Sequence, residues 1–346
     1  MKSYLTGLFL ILFVCVQGQS IDGKIVDKNN KPLSNATVYF DGSTTGTLSR
    51  SDGSFTIQTS NRKNLILVVR YIGYETVYIK DPDPETTYQI ELSVQENFLD
   101  EVVLESSLFS RKQMLKAFKR DFLGETRAGR RSKILNEDDL TFYYDKNDRM
   151  LLASSKNPIK IENKELGYLI EFDLIDFISE FSSLSLHKAY LRSNFFSGTS
   201  FFQELDDNSK YEKKRKKTYY GSPKHFFKSL TSRQLEENNF ELYDNSFRAS
   251  VDSIFKVLSV QNGYEITILK NDLDRIKSGS LPGNSKFQKK ITILNKNDRS
   301  DVSFKTETFF VDKYGNHTHI DQILFYGEMS KRRVGDMLPI NYKPDE

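Results

Sequence analysis

Between Asp22 and Glu105, short runs of alternating apolar and polar residues are cut at close intervals by Asn, Gly, Pro and Asp. No other feature restricts the fold of this chain so tightly. Runs of this length with period-two alternation bury one face of a pleated strand and are too short for a stable helix. The pattern predicts strands over residues 21–27, 36–41, 54–58, 65–71, 76–79 and 88–92. Turns are expected at Asn29-Asn30 with Pro32, at Asp41-Gly42, at Asp52-Gly53 and at Gly73, where these residue types tolerate tight or left-handed backbone. Val38, Phe40, Phe55, Ile57, Leu67, Val69, Tyr71, Ile90 and Leu92 then share one core. About seven short strands with turns at this spacing make a small β-sandwich.

The same segment resembles a known family. The residues that carry the resemblance are Gly23, Val26-Asp27, Pro32-Leu33, Ala36, Val38, Gly46-Thr47, Asp52-Gly53, Phe55 and Tyr71-Ile72-Gly73-Tyr74-Glu75. Together they are similar to the carboxypeptidase-regulatory-like domain, a transthyretin-like sandwich of the immunoglobulin-like class. The resemblance covers about residues 20–105, and it implies a Bacteroidota-type protein of the periplasm or outer-membrane periphery. One departure is visible: where the family often has Thr-Asp, this chain has Ser49-Arg50. The tail Leu99-Asp100-Glu101-Val102-Val103 is similar to the join between such a domain and the plug of TonB-dependent receptors.

Two functions suggested by that resemblance meet physical obstacles. After Glu105, 241 residues remain, whereas a plug followed by roughly 22 membrane strands needs several hundred. A complete receptor is therefore not expected. A zinc peptidase needs closely placed histidine and carboxylate ligands. The histidines are His187, His225, His317 and His319; Tyr190 lies three residues after His187 and Lys228 three after His225, so no His-x-x-Glu pair arises. No catalytic residue, metal or other cofactor is expected, and a fold name licenses no reaction.

Residues 1–18 have the three parts of an export signal: Met1-Lys2, an apolar stretch over 5–16, and permissive residues at Val16-Gln17-Gly18. Cleavage is expected after Gly18. Attachment of lipid to Cys15 is the weaker alternative, because Phe13 and Val14 are bulkier than a lipid-attachment box requires. The first 105 residues hold nine Lys/Arg against thirteen Asp/Glu, and the remainder 41 against 34, so a mildly acidic sandwich precedes a mildly basic region. The densest basic run supplies the candidate partner-binding residues Lys213, Lys214, Arg215, Lys216 and Lys217, followed by Tyr219 and Tyr220. Such a run suits contact with an anionic surface, or is simply a solvated loop or edge strand. Export argues against a nucleic-acid partner.

Beyond the sandwich, Ser110 and Gln113 have capping-box spacing ahead of Met114, Leu115, Phe118 and Phe122, with Gly124 as a stop. This predicts a linker helix within 106–126. The remainder, 127–346, reads as one α+β domain on mainly antiparallel sheet. Its strands are expected over 140–144, 150–154, 165–173, 186–192, 254–260, 264–269, 289–294, 302–310 and 319–326. Ser222-Pro223 begins a helix carrying Phe226, Phe227 and Leu230, and a second short helix is expected from about 231 to 239. Ser222, His225 and Asp244 form a triad only on paper, since the first two sit where a cap and its partner belong. His317 and His319 on a strand would project to one face, short of a third metal ligand, but the pair reads rather as a turn after Gly315-Asn316 entering the last strand. Side-by-side phenylalanines at 195-196, 201-202, 226-227 and 309-310 offer one ring to a core and one to a second layer.

The sequence thus supports an exported, non-catalytic envelope protein, a sandwich joined to a domain that binds an envelope protein or glycan, with peripheral outer-membrane contact. The alternatives are an envelope enzyme of peptidase type with an unrecognised site, and a small outer-membrane β-structure related to TonB-dependent systems.

Overall fold

A computed structural model describes residues 19–59, 65–95, 108–205, 209–269, 287–320 and 322–344. The export signal, Cys15 and the 99–103 join lie outside the described residues.

The alternating N-terminal runs form β1 (Ser20–Asp27), β2 (Thr37–Phe40), β3 (Gly46–Leu48), β4 (Ser54–Gln58), β5 (Ile66–Arg70), β6 (Val77–Lys80) and β7 (Tyr88–Leu92). They make two sheets, ordered β4-β1-β7 and β3-β2-β5-β6. Between the sheets lie Ile21, Ile25, Val38, Phe40, Phe55, Ile57, Leu67, Val69, Ile90 and Leu92, so the period-two pattern selected the inner face. Gly53 is required where it stands: φ is +80° and a Cβ would lie 2.5 Å from the Ile25 carbonyl oxygen.

Helix α1 (Arg111–Leu123) begins with the capping box expected at Ser110 and Gln113 and stops at Gly124. It is no linker: Phe118 and Phe122 are fully buried in a core formed with α2 (Arg127–Arg131) and the next sheet. That sheet is built from β8 (Ser132–Ile134), β9 (Leu140–Asp145), β10 (Met150–Ser155), β11 (Ile159–Asn163), β12 (Tyr168–Phe181) and β13 (Leu191–Glu204). The long β12–β13 ribbon replaces the shorter strands expected at 165–173 and 186–192. Its pairing slips between Leu174 and Asp176. Even-numbered residues Tyr168, Ile170 and Phe172 point into the core before that bulge, and odd-numbered Phe177, Ser179 and Phe181 after it.

The rest packs around a second apolar core. It comprises α3 (Ser209–Tyr219), α4 (Pro223–Thr231), β14 (Phe240–Asp244), β15 (Phe247–Ala249), α5 (Val251–Ile254), β16 (Phe255–Val260), β17 (Gly263–Ile268), β18 (Lys289–Asn295), β19 (Asp298–Phe304), β20 (Thr308–Asp312) and β21 (Ile323–Gly327). The strands form antiparallel sheets β15-β14-β18-β19-β21 and β16-β17-β20. The run expected as one strand over 302–310 is two, and the segment after Thr231 forms turns rather than a second helix. Phe226 and Phe227 are both fully buried because they sit on a helix, where neighbours need not oppose each other across a sheet.

The sandwich meets the β12–β13 ribbon both along the outer edge of β13 and on the ribbon's outward face. The Gly42 amide donates to the Ser200 carbonyl at 2.6 Å, and the Phe202 amide donates to the Ser43 carbonyl at 3.0 Å. Tyr39 lies 5.1 Å from the Phe201 ring, and Arg70 pairs with Glu171. The C-terminal tail adds a stitch, with the Ile340 amide donating to the Gly42 carbonyl at 2.7 Å.

At this seam the Asp41 carboxylate accepts from the Ser200 amide at 2.7 Å. Burial nevertheless pushes its pKa from the ordinary 3.8 up to about 6, against the pull of the Ser200 and Gly42 amides. The folded chain therefore holds this proton more tightly than the unfolded chain does. The group's contribution is fully present below about pH 4 and is lost as pH rises through about 6. In urea titrations the stability difference between the native chain and Asp41→Asn should fall by on the order of 2 kcal/mol across that window. A level or rising difference would contradict it.

Candidate functional site

The basic run is helical, not the loop or edge strand that its composition suggests. Helix α3 turns Tyr211, Arg215 and Tyr219 inward at four-residue spacing, which places the intervening lysines outward. Lys216 and Lys217 occupy the last turn, where positive charge complements the carbonyl end of the helix dipole.

The candidate residues divide accordingly. Arg215 is 3% exposed: its Nε donates to the Leu166 carbonyl at 2.8 Å, and its guanidinium lies 4.0 Å from the Tyr168 ring centre. Tyr219 is buried against the His225 ring. Neither is offered to a partner. Lys213, Lys217 and Tyr220 are exposed, and Lys214 and Lys216 half-buried.

Lys213, Lys214 and Lys217 line a cleft of about 410 Å³ between α3, the start of α2, the β18–β19 turn and residues 328–336. Arg127 and Arg332 also line it, with Glu165, Asp298, Glu328 and Asp336. Much of this charge is already engaged. Glu165 accepts ion pairs from Arg127 at 2.8 Å and Lys214 at 3.8 Å, and Lys331 pairs with Glu328. Arg332 donates to the Thr218 and Tyr220 carbonyls, and burial lowers its pKa although Asp336, Asp298 and Glu328 oppose that. Burial raises the carboxyl of Asp336, against a hydrogen bond from the Thr126 hydroxyl. Lys213 and Lys217, one helical turn apart, form no ion pair among the described residues.

The paper triad is not assembled. Ser222 caps α4 by accepting from the His225 amide. The His225 ring lies 5.0 Å from both Tyr220 and Phe240, and burial depresses its pKa to about 4. Asp244 pairs with the buried Lys289 at 2.6 Å. His317 and His319 do not share a strand face: His317 packs 4.7 Å from the Phe227 ring, while His319 occupies a turn at φ +58°. Among the described residues no group of three or more His, Cys, Asp or Glu side chains is placed to hold a metal.

In the sandwich, Ser49 shows what the Ser-Arg departure retains. Its buried hydroxyl donates to the Leu33 carbonyl at 2.6 Å and accepts from the Ala36 amide at 2.9 Å, while Arg50 is exposed. The hydroxyl thus ties the loop before β2, with no acid needed. Residues 21–104 match the CarboxypepD_reg-like domain. Over 100 residues the chain is 31% identical to the TonB-dependent receptor SusC of Bacteroides thetaiotaomicron, which covers 29% of this chain and 10% of that protein. The chain therefore spans about a tenth of that relative's length. A 9R-lipoxygenase from Cyanothece PCC8801 aligns over 64% of this chain and 48% of its own, at 14% identity and a TM-score of 0.17, too low to carry an argument. The α3 cleft lies outside the CarboxypepD_reg-like domain, in the part of the chain that the domain match does not reach.

Proposed function

We propose that this chain is a non-catalytic, envelope-associated binding protein. The CarboxypepD_reg-like domain is its structural module, and the α3 cleft engages an anionic group on an envelope glycan or protein. The partial similarity to an outer-membrane receptor supports the envelope setting. The observation that carries the binding role is the Lys213–Lys217 pair. Like charges four residues apart weaken a helix, and both face a cleft in which Glu165 and Glu328 are engaged by other cations. An anion seated between them would relieve that repulsion.

Vesicles containing lipopolysaccharide supply the probe, with zwitterionic vesicles as control. Binding should require the anionic vesicles and weaken with salt. Replacing Lys213 and Lys217 together by Glu should cut affinity about tenfold or more. Unchanged binding by the double variant would remove the cleft from the proposal, and recovery of the protein only in the cytosolic fraction would remove the envelope setting.

A further inference from the structure

A second cleft, of about 450 Å³, opens where α1 ends, bounded by the turn at 124–130, by Lys188 and Leu191 at the start of β13, and by residues 330–333. It shares Thr126 and Lys331 with the α3 cleft but none of the α3 lysines. Five cations line it against two carboxylates.

Pairing cancels most of that charge. Arg120 holds Asp121 through two hydrogen bonds, at 2.6 and 2.7 Å. Lys188 pairs with Glu125, and Lys331 turns to Glu328, which does not line this cleft. Two guanidiniums are left over, those of Arg130 and Arg333. Arg130 is exposed and donates to the Glu125 backbone carbonyl at 2.5 Å, which satisfies a donor without cancelling its charge. Arg333 is half-buried, and among the described residues its guanidinium forms neither a hydrogen bond nor an ion pair. Burial lowers its pKa, and the one charge opposing that, Asp121, is already engaged by Arg120 and by the Ser179 hydroxyl.

Withdrawing a cation from water without a counterion costs free energy, which an arriving anion recovers. The carbonyl end of α1 would oppose such a ligand, but its last oxygens are directed elsewhere: those of Leu123 and Gly124 each lie 2.5 Å from where Gly129 would carry a Cβ.

We infer that this cleft is a second anion site, that it takes a phosphomonoester, and that Arg333 is its main contact. Two uncancelled guanidiniums match the charge of about −1.5 to −2 that a phosphomonoester carries at neutral pH. The planar fork of a guanidinium also meets phosphate oxygens two at a time. A carboxylate brings one charge and leaves the second arginine as it was. The inference does not depend on the α3 cleft, whose lysines lie outside this lining.

Titration calorimetry with glycerol phosphate, at neutral pH and physiological ionic strength, tests this. The native chain should bind it saturably and should bind acetate about tenfold more weakly or less. Arg333→Gln should weaken glycerol phosphate about tenfold or more and abolish the rise in unfolding temperature that the compound gives the native chain. Should that variant fail to fold, Arg130→Gln, at an exposed position, should still weaken binding about threefold or more. Lys213→Gln with Lys217→Gln should leave it within about twofold, since salt screens charges beyond roughly 8 Å. Displacement by phosphatidic acid vesicles, and not by phosphatidylcholine alone, would make a lipid headgroup the source of the phosphate; without displacement the source is a soluble phosphomonoester. No saturable binding, equal binding of acetate, indifference to the arginine variants, or an equal loss in the lysine pair overturns the inference.

Discussion

Phe122→Ala should lower the unfolding free energy by about 4 kcal/mol, measured by urea titration. Phe122 is fully buried and stacks on Phe118 at 4.8 Å between centroids. Its ring also meets Phe172 at 5.1 Å and Phe196 at 5.4 Å, one from each strand of the long ribbon. Truncation removes apolar burial and these edge-to-face contacts together, and it leaves a cavity between α1 and the sheet that neither can close without moving the other. Phe122→Leu keeps most of the volume and should cost about 1–2 kcal/mol. The pair of variants also measures the role of α1. A helix that merely linked two domains would lose less than about 1 kcal/mol on either change. A small effect of Phe122→Ala would therefore return α1 to the linker role that its position in the sequence suggests.

The sandwich was legible because its information is local. Period two assigned Val38, Phe40, Leu67 and Val69 to one core, and turn residues marked the chain reversals, with Gly42, Gly53 and Gly73 all at positive φ. The α1 cap was legible for the same reason, since Ser110 and Gln113 need only each other. Strand β12 shows where local pattern fails. From Leu174 to Phe181 the apolar spacing changes parity, and without the bulge at Ile175 no single face accounts for both halves. Period two then ends the strand at the point where the chain actually kinks and continues. The break between β19 and β20 was hidden in the opposite way, by apolar letters on both sides of a short reversal.

Contacts between distant segments left little trace. Nothing near Tyr39 or Asp41 in sequence announces Thr199 and Ser200, and the tail at Ile340 reaches Gly42 across almost the whole chain. The candidate site lies on this side of the divide. Lys213 and Lys217 were visible as charge, but the cleft they line is closed by α2 and by residues 328–336, which only the tertiary fold brings near. Tyr211, Arg215 and Tyr219 do fall at helical spacing. What concealed that stripe was an arginine at its centre, because a guanidinium among five lysines looks like one more solvated charge.

Arg215→Ala should cost about 3–5 kcal/mol, close to the effect of breaking a buried core contact. The guanidinium bonds the Leu166 carbonyl at 2.8 Å and the Gly167 carbonyl at 3.4 Å, and it lies 4.0 Å from the Tyr168 ring centre. Those carbonyls belong to a turn with no slack: Gly167 has φ +74°, and a Cβ there would fall 2.2 Å from the Tyr211 ring. Removing the arginine leaves the Leu166 carbonyl without that donor, the Gly167 carbonyl with the Leu205 amide at 3.1 Å, and Glu204 without its ion pair to the guanidinium, beside a ring that had been covered. Lysine should recover only a minority of the loss, because an ammonium supplies neither the planar fork nor the flat stacking surface. The functional consequence separates anchoring from ligand contact. Arg215 faces inward and should not touch an anion in the cleft, yet it fixes the side of α3 from which Lys213 and Lys217 project. Vesicle binding by Arg215→Lys should therefore fall together with stability, whereas Lys213→Glu with Lys217→Glu should lose binding at nearly unchanged stability. Equal stability of native chain and Arg215→Ala would show that α3 is held by its tyrosines alone, and the cleft would then owe its shape to Tyr211 and Tyr219 rather than to the buried charge.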